Sequence, residues 1–323
     1  MIDAMPEPAP PRRPVGRRTV VLGGLGALSL GGCGIRLESD APTLPFLATR
    51  TPIPAETELL ALTARCATLA ASARAAGTNA LLGALTTIHE RQHEVLVTAL
   101  RARSVPDELM ADPTASGSPA SPSPTGSVAT AALAVSEAAD LTRRPALSGV
   151  DEALRPTVCA LLAQRYAAAT LLGGPAPAEP AGGSDPQWAV PAEAAPLLDA
   201  SRSATYGFEV VAAQSGGAAR TLARSTLGVL AALTQEQAAS LGTAAPAPAL
   251  GYPLPFRVST PAEARRLAVH LVTGLRAAYG GTLEALTRSA ADPAFGHLPW
   301  WLGRAEVLAH QWGVALEPFP GLA

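Results

Sequence analysis

Apolar residues recur along most of this chain at steps of three and four, and that spacing constrains its fold more than any other feature. From residue 56 to 76 the stripe is Leu59, Leu62, Cys66, Leu69 and Ala73. From 79 to 103 it is Leu82, Leu85, Ile88, Gln92, Leu96 and Leu100, and Pro106 ends it. Such spacing lays one apolar face along a helix and would scatter the same residues over both faces of a strand. Ala and Leu supply most of the apolar fraction of 48%, and aromatics only 4%. Few β-branched or aromatic residues remain to build a sheet, so the class expected is all-α.

Further helices are expected over about 129–142 and 151–172, where Pro156 falls in an early turn that tolerates it. The spacing then predicts four more, over about 196–214, 218–241, 261–286 and 298–313. The third of these has an explicit start, with Thr260 as N-cap, Pro261 at the first helical position and Glu263 closing a capping box. Four helices with a longer middle connection predict a C-terminal four-helix bundle, preceded by an N-terminal helical region. Composition marks the boundaries. Residues 111–127, running Pro-Thr-Ala-Ser-Gly-Ser-Pro from Pro113, have no apolar anchor and are expected to be a disordered insert. Residues 173–187 form a Pro/Gly/Ala-rich linker. The expected domains are thus 54–172 (helical), 173–187 (linker) and 188–323 (bundle). A fragment starting near Asp185 is expected to fold alone, with Trp301 at its centre.

The N-terminus gives location. Arg17-Arg18, an apolar run from Val20 to Leu30, and then Leu30-Gly31-Gly32-Cys33 follow the order of a lipoprotein signal. The run is shorter than the ~20 residues a permanent membrane helix needs. Residues 1–32 are expected to be removed, Cys33 to receive lipid, and Pro-rich 33–53 to serve as a tether. The paired arginines resemble a twin-arginine signal and equally suit the general secretory route. The expected partner is therefore the membrane, through lipid on Cys33, with the chain on its extracytoplasmic side. Losing four arginines with Asp3 and Glu7 would move the net charge from −2 to −4. That balance offers no basic stripe for nucleic acid.

Once Cys33 is lipidated, Cys66 and Cys159 remain. An even count in an oxidising compartment predicts a disulfide between them, with two buried thiols as the alternative. His89-Glu90-Arg91-Gln92-His93 is the sharpest chemical motif. On a helix His89 and His93 share a face and could hold zinc with Glu90 as general base; Glu90 and His93 also make half of a di-iron Glu-x-x-His pair. Both readings need more ligands, and a solvated polar face explains the same residues. No Gly-x-Ser-x-Gly, P-loop or dinucleotide fingerprint is present, and no cofactor is expected.

The stretch from about 190 to the end resembles an actinobacterial ferritin-like domain of unknown function found in exported lipoproteins. The matching residues are Ala204-Thr205-Tyr206-Gly207-Phe208, Gly274-Leu275-Arg276-Ala277-Ala278-Tyr279, Trp312-Gly313 and the closing Pro318-Phe319-Pro320-Gly321-Leu322. The resemblance implies a ferritin-like four-helix bundle and no established activity. Ser201-Arg202 and Val272-Thr273 stand where members of that family often carry acidic or histidine residues. Glu306 and His310 are spaced i, i+4 and form no Glu-x-x-His. The bundle is expected to be metal-free and indifferent to chelators, and the protein to be a non-enzymatic binding or structural module.

Overall fold

The computed structural model describes residues 50–110, 126–174, 188–289 and 291–322. Cys33, the signal and nearly all of the tether, most of the 111–127 insert and most of the 173–187 linker lie outside them. Eight long helices carry the fold: α1 (Glu56–Ala76), α2 (Ala80–Arg101), α3 (Ser127–Asp140), α4 (Arg155–Leu171), α5 (Pro191–Gln214), α6 (Gly217–Leu241), α7 (Pro261–Ser289) and α8 (Ala291–Gln311). Single helical turns occur at Asp107–Met110 and Arg144–Leu147, and no strand occurs among the described residues. No described helix is long and apolar enough to cross a membrane.

Local sequence explains the ends. Asn79 Oδ1 accepts from Leu82 N at 2.9 Å and caps α2. Glu263 N donates to Thr260 Oγ1 at 3.2 Å while Thr260 N donates to Glu263 Oε2 at 3.0 Å, which is the capping box expected at α7. Glu263 also accepts from Ser259 N, and these backbone and hydroxyl donors hold its carboxyl below the usual carboxylate range. Pro196 and Pro299 lie inside α5 and α8, so both helices begin earlier than the periodicity suggests.

The helices pair in the same order in each half. In the first, α1 packs on α2 and on α3, and α3 packs on α4. In the second, α5 packs on α6 and on α7, α7 packs on α8, and α8 touches α6. Helix α4 joins the two halves by packing along α8 and against α7. Residues 158–169 of α4 are all buried. Gly303 permits the close approach of α8, since a Cβ there would come within 2.6 Å of the Tyr166 ring and 2.9 Å of the Ala163 carbonyl. Trp300 completes the seam beneath the Arg144 guanidinium, 5.0 Å from its ring centroid.

One apolar core therefore runs from Leu59 to Trp312 through both halves, and residues 52–323 form one unit. Trp301 is buried, as expected, against Trp188 and His297. The C-terminal half, expected from the linker to fold separately, shares this core with the first half. Composition marks a boundary in the sequence but not what the helices on either side bury.

The closing Pro-Phe-Pro-Gly-Leu stretch fastens the same seam. Gly321 lies in the left-handed region at φ 75°, and a Cβ on Gly280 of α7 would overlap its carbonyl. Pro318 O accepts from Gln92 Nε2 of α2 at 2.7 Å.

Candidate functional site

The helices of the first half converge on a buried polar cluster centred on Arg165. Arg165, Gln164, His89, Gln92, Glu137, Asp140 and Cys66 are all buried. From α4, Arg165 donates to Asp140 Oδ2 (3.0 Å) and Glu137 Oε2 (3.3 Å) of α3. It also reaches His89 Nδ1 of α2 at 2.6 Å and Cys66 Sγ of α1 at 3.1 Å. Arg65 approaches the other oxygen of Asp140, so two guanidiniums face two carboxylates. Burial opposes the charge on Arg165, but the facing Cys66 sulfur and the two carboxylates outweigh it and raise its hold on the proton.

A guanidinium only donates, so His89 Nδ1 must accept and Nε2 must carry the proton. Nε2 lies 2.7 Å from Glu137 Oε1, yet neither atom has a well-aligned hydrogen-bond partner. The close approach makes this an electrostatic contact with poor alignment. Gln164 Nε2 is also buried without a partner.

This geometry corrects two expectations. His89, Glu90 and His93 do not converge. Glu90 is exposed and paired with Arg74, while His93 Nδ1 donates to Thr63 O at 3.1 Å. Among the described residues, no group of three or more His, Cys, Asp or Glu is placed to hold a metal. The i, i+4 spacing put both histidines on one face correctly, but α3 and α4 supply His89 with a carboxylate and an arginine.

The Cys66–Cys159 disulfide is not formed; both are free, buried thiols. Cys66 meets Arg165, which lies six residues beyond Cys159 on α4. Burial pushes the Cys66 thiol up to about 11 against the pull of Arg165, and burial raises Cys159 further. Both should resist a thiol reagent in the native protein and react fully after unfolding without reductant. Labelling that required reductant would restore the bridge.

The second half holds a closed hydrogen-bond ring instead. Ser201 of α5, Gln237 of α6 and Tyr279 of α7 are all buried. Gln237 Nε2 donates to Tyr279 Oη (2.6 Å), Tyr279 and Ser201 share a hydrogen bond of 2.5 Å, and Ser201 Oγ donates to Gln237 Oε1 (2.7 Å). With Tyr279 donating to Ser201, every hydroxyl proton is used. Burial pushes the Tyr279 phenol up to about 12 despite these bonds. Nearby, Arg276 of α7 contacts Glu306 (2.9 Å) and Glu317 (2.5 Å), and Glu306 also accepts from Glu317 N (2.7 Å). Glu306 is thereby committed to securing the C-terminal stretch. Burial raises its carboxyl above the usual range, with Arg276 acting against that shift.

Surface cavities among the described residues lie elsewhere, three of which bear on function. One of about 830 Å³ is lined by Asp151, Glu152, Glu284, Arg288 and the backbones of Gly280 and Gly321, and Arg288 already bridges Glu152 and Glu284. A mostly apolar one of about 510 Å³ lies between α2 and the residues after α8. A third, of about 390 Å³, is lined by Arg202, Tyr206, Glu209, Gln235 and Tyr252. The linings of these three bring together no nucleophile, base and donor of the kind acyl or phosphoryl transfer needs.

Sequence reasoning missed Arg165, Glu137 and Asp140. The only signal was a charged residue three positions after the apolar run Val158-Cys159-Ala160-Leu161-Leu162 in the same helical stretch, a place where arginine is seldom buried unless paired. Residues 193–323 match the profile of a family described as a domain of unknown function, DUF4439. No curated protein and no solved structure matches the chain.

Proposed function

We propose that this chain is an exported, lipid-anchored helical protein that acts as a non-enzymatic binding or structural module. On this reading its eight long helices form two ferritin-like four-helix bundles, both without metal. The pairing order supports the topology: in each half helix one meets helices two and three, and helix three meets helix four. Helix four meets helix two through Arg165–His89 and Gln92–Gln164 (3.3 Å) in the first half, and through Trp301–Glu236 (3.0 Å) in the second. That order suits two antiparallel hairpins joined by a long crossover.

The observation that carries the metal-free reading is Arg165. Carboxylates and a histidine from different helices gather where a ferritin-like bundle would place its metals, and a guanidinium supplies the positive charge there. In the second bundle the uncharged Ser201–Gln237–Tyr279 ring joins α5, α6 and α7 in the interior. The lipobox at Cys33 supports the location.

The test has two readouts. Cys33→Ala should leave the protein unprocessed or release it from membranes, and purified protein should carry no stoichiometric iron or zinc. A lipid-labelled Cys33→Ala product would sink the anchor, and stoichiometric metal lost on His93→Ala would sink the metal-free reading.

A further inference from the structure

Most arginines of the described helices already have a partner. Arg65, Arg74, Arg91, Arg101, Arg103, Arg143, Arg165, Arg276, Arg288 and Arg304 each sit against a carboxylate. Arg155 and Arg202 donate to backbone carbonyls, and Arg144 covers Trp300. Five do not follow this pattern. Arg220, Arg224, Arg257, Arg265 and Arg266 are exposed and form no close ion pair among the described residues, although Arg266 lies near enough to Glu263 to help hold its carboxyl low. Arg220 donates only to Ser215 O, and Arg266 stacks on Phe256, 4.0 Å from its ring centroid.

These five share one end of the C-terminal half. Arg220 and Arg224 lie in the first turns of α6, Arg265 and Arg266 in the first turns of α7, and Arg257 just before α7. The end of α8 links the two starts. Trp312 Nε1 donates to Thr226 Oγ1, and a Cβ on Gly313 would lie 3.5 Å from Arg265 Nη2. His270 is exposed one turn further along α7. The acids on these stretches offset only part of this charge: Glu263, in the α7 cap, lies beside Arg266, and Glu209 sits more than a turn before the end of α5.

We propose that this end of the molecule is a docking surface for an extended anionic polymer bearing repeated phosphate groups. Like charges left unpaired at one end, in a chain of net negative charge, create a local positive field that favours a polyanion. The five are spread over the starts of α6 and α7 and the stretch before α7, so their placement suits a ligand laid across a surface rather than a small anion held at one point. A bilayer fits less well. Surfaces that enter an interface place apolar side chains beside the basic ones, and the exposed large apolar residues of this half (Val190, Tyr206, Leu250, Leu322) lie on other stretches. The inference gives the binding-module reading a partner and does not depend on the anchor, which Cys33→Ala tests separately.

The experiment measures binding of the full chain to inorganic polyphosphate. Wild type should bind at low salt, with affinity falling by orders of magnitude between about 50 and about 200 mM salt. Arg224→Glu/Arg265→Glu should weaken binding about tenfold or more. Arg91→Glu/Arg101→Glu on α2, an equal change in net charge, should weaken it far less. Melting curves confirm that each variant is folded. Absence of binding at low salt would overturn the proposal, as would equal losses in the two double variants. Phosphatidylglycerol vesicles serve as the competing arm. If they bind in a manner sensitive to Arg224→Glu/Arg265→Glu while polyphosphate does not bind, the surface faces a membrane and the polymer assignment fails.

Discussion

Arg165→Met should destabilise the protein by about 3–5 kcal/mol, because it leaves Glu137 and Asp140 buried with much of their compensation gone. Arg65 still reaches Asp140, but Glu137 keeps only a misaligned contact with His89. The measurement is the denaturant midpoint of the full chain, with the slope unchanged if unfolding stays two-state. The triple variant Arg165→Met/Glu137→Gln/Asp140→Asn separates charge from shape. Uncharged groups of similar volume should recover much of the loss, since a buried ion network need not be more stable than a neutral replacement. A single variant as stable as wild type would show that the cluster is open to water.

A fragment of residues 185–323 should fail to melt cooperatively as a monomer. Helix α8 has two apolar sides: Trp301 faces Trp188 and His297 within the C-terminal half, while Gly303 and Trp300 meet Tyr166 and Arg144 across the seam. Removing residues 1–184 would expose that second side along its length, which invites self-association. Circular dichroism should retain helix, while sedimentation should show aggregation or weakened packing. A sharp monomeric melt would instead show the separable domain expected from the linker.

The helices were legible because each buries a stripe whose period is written locally. The α7 cap was legible because Thr260 and Glu263 are three residues apart. Burial of Trp301 followed from its size and its place in a stripe. The arginine cluster was not legible, because Cys66, His89, Glu137 and Arg165 are separated by tens of residues and meet only once the first four helices assemble. His89 and Glu90 read alike in sequence, as adjacent polar residues on a helix; one is buried and one exposed because α3 and α4 cover a single side of α2. The disulfide expectation rested on an even count and a compartment, and neither contains a distance. The approach of α8 to α4 depends on Gly303, and that of the closing stretch to α7 on Gly280 and Gly321, which look like any other small residues until another backbone approaches them.

The burial of α4 along twelve consecutive residues has a kinetic consequence. An amide exchanges with solvent only when its hydrogen bond opens to water, and amides in surface helices can do so by local fraying. Over this stretch α4 has no exposed side from which to fray; it can open only when the elements around it separate. Its amide protons should therefore be among the slowest to exchange with deuterated water, approaching the limit set by global unfolding. The ends of α2 and α6 should exchange early and independently.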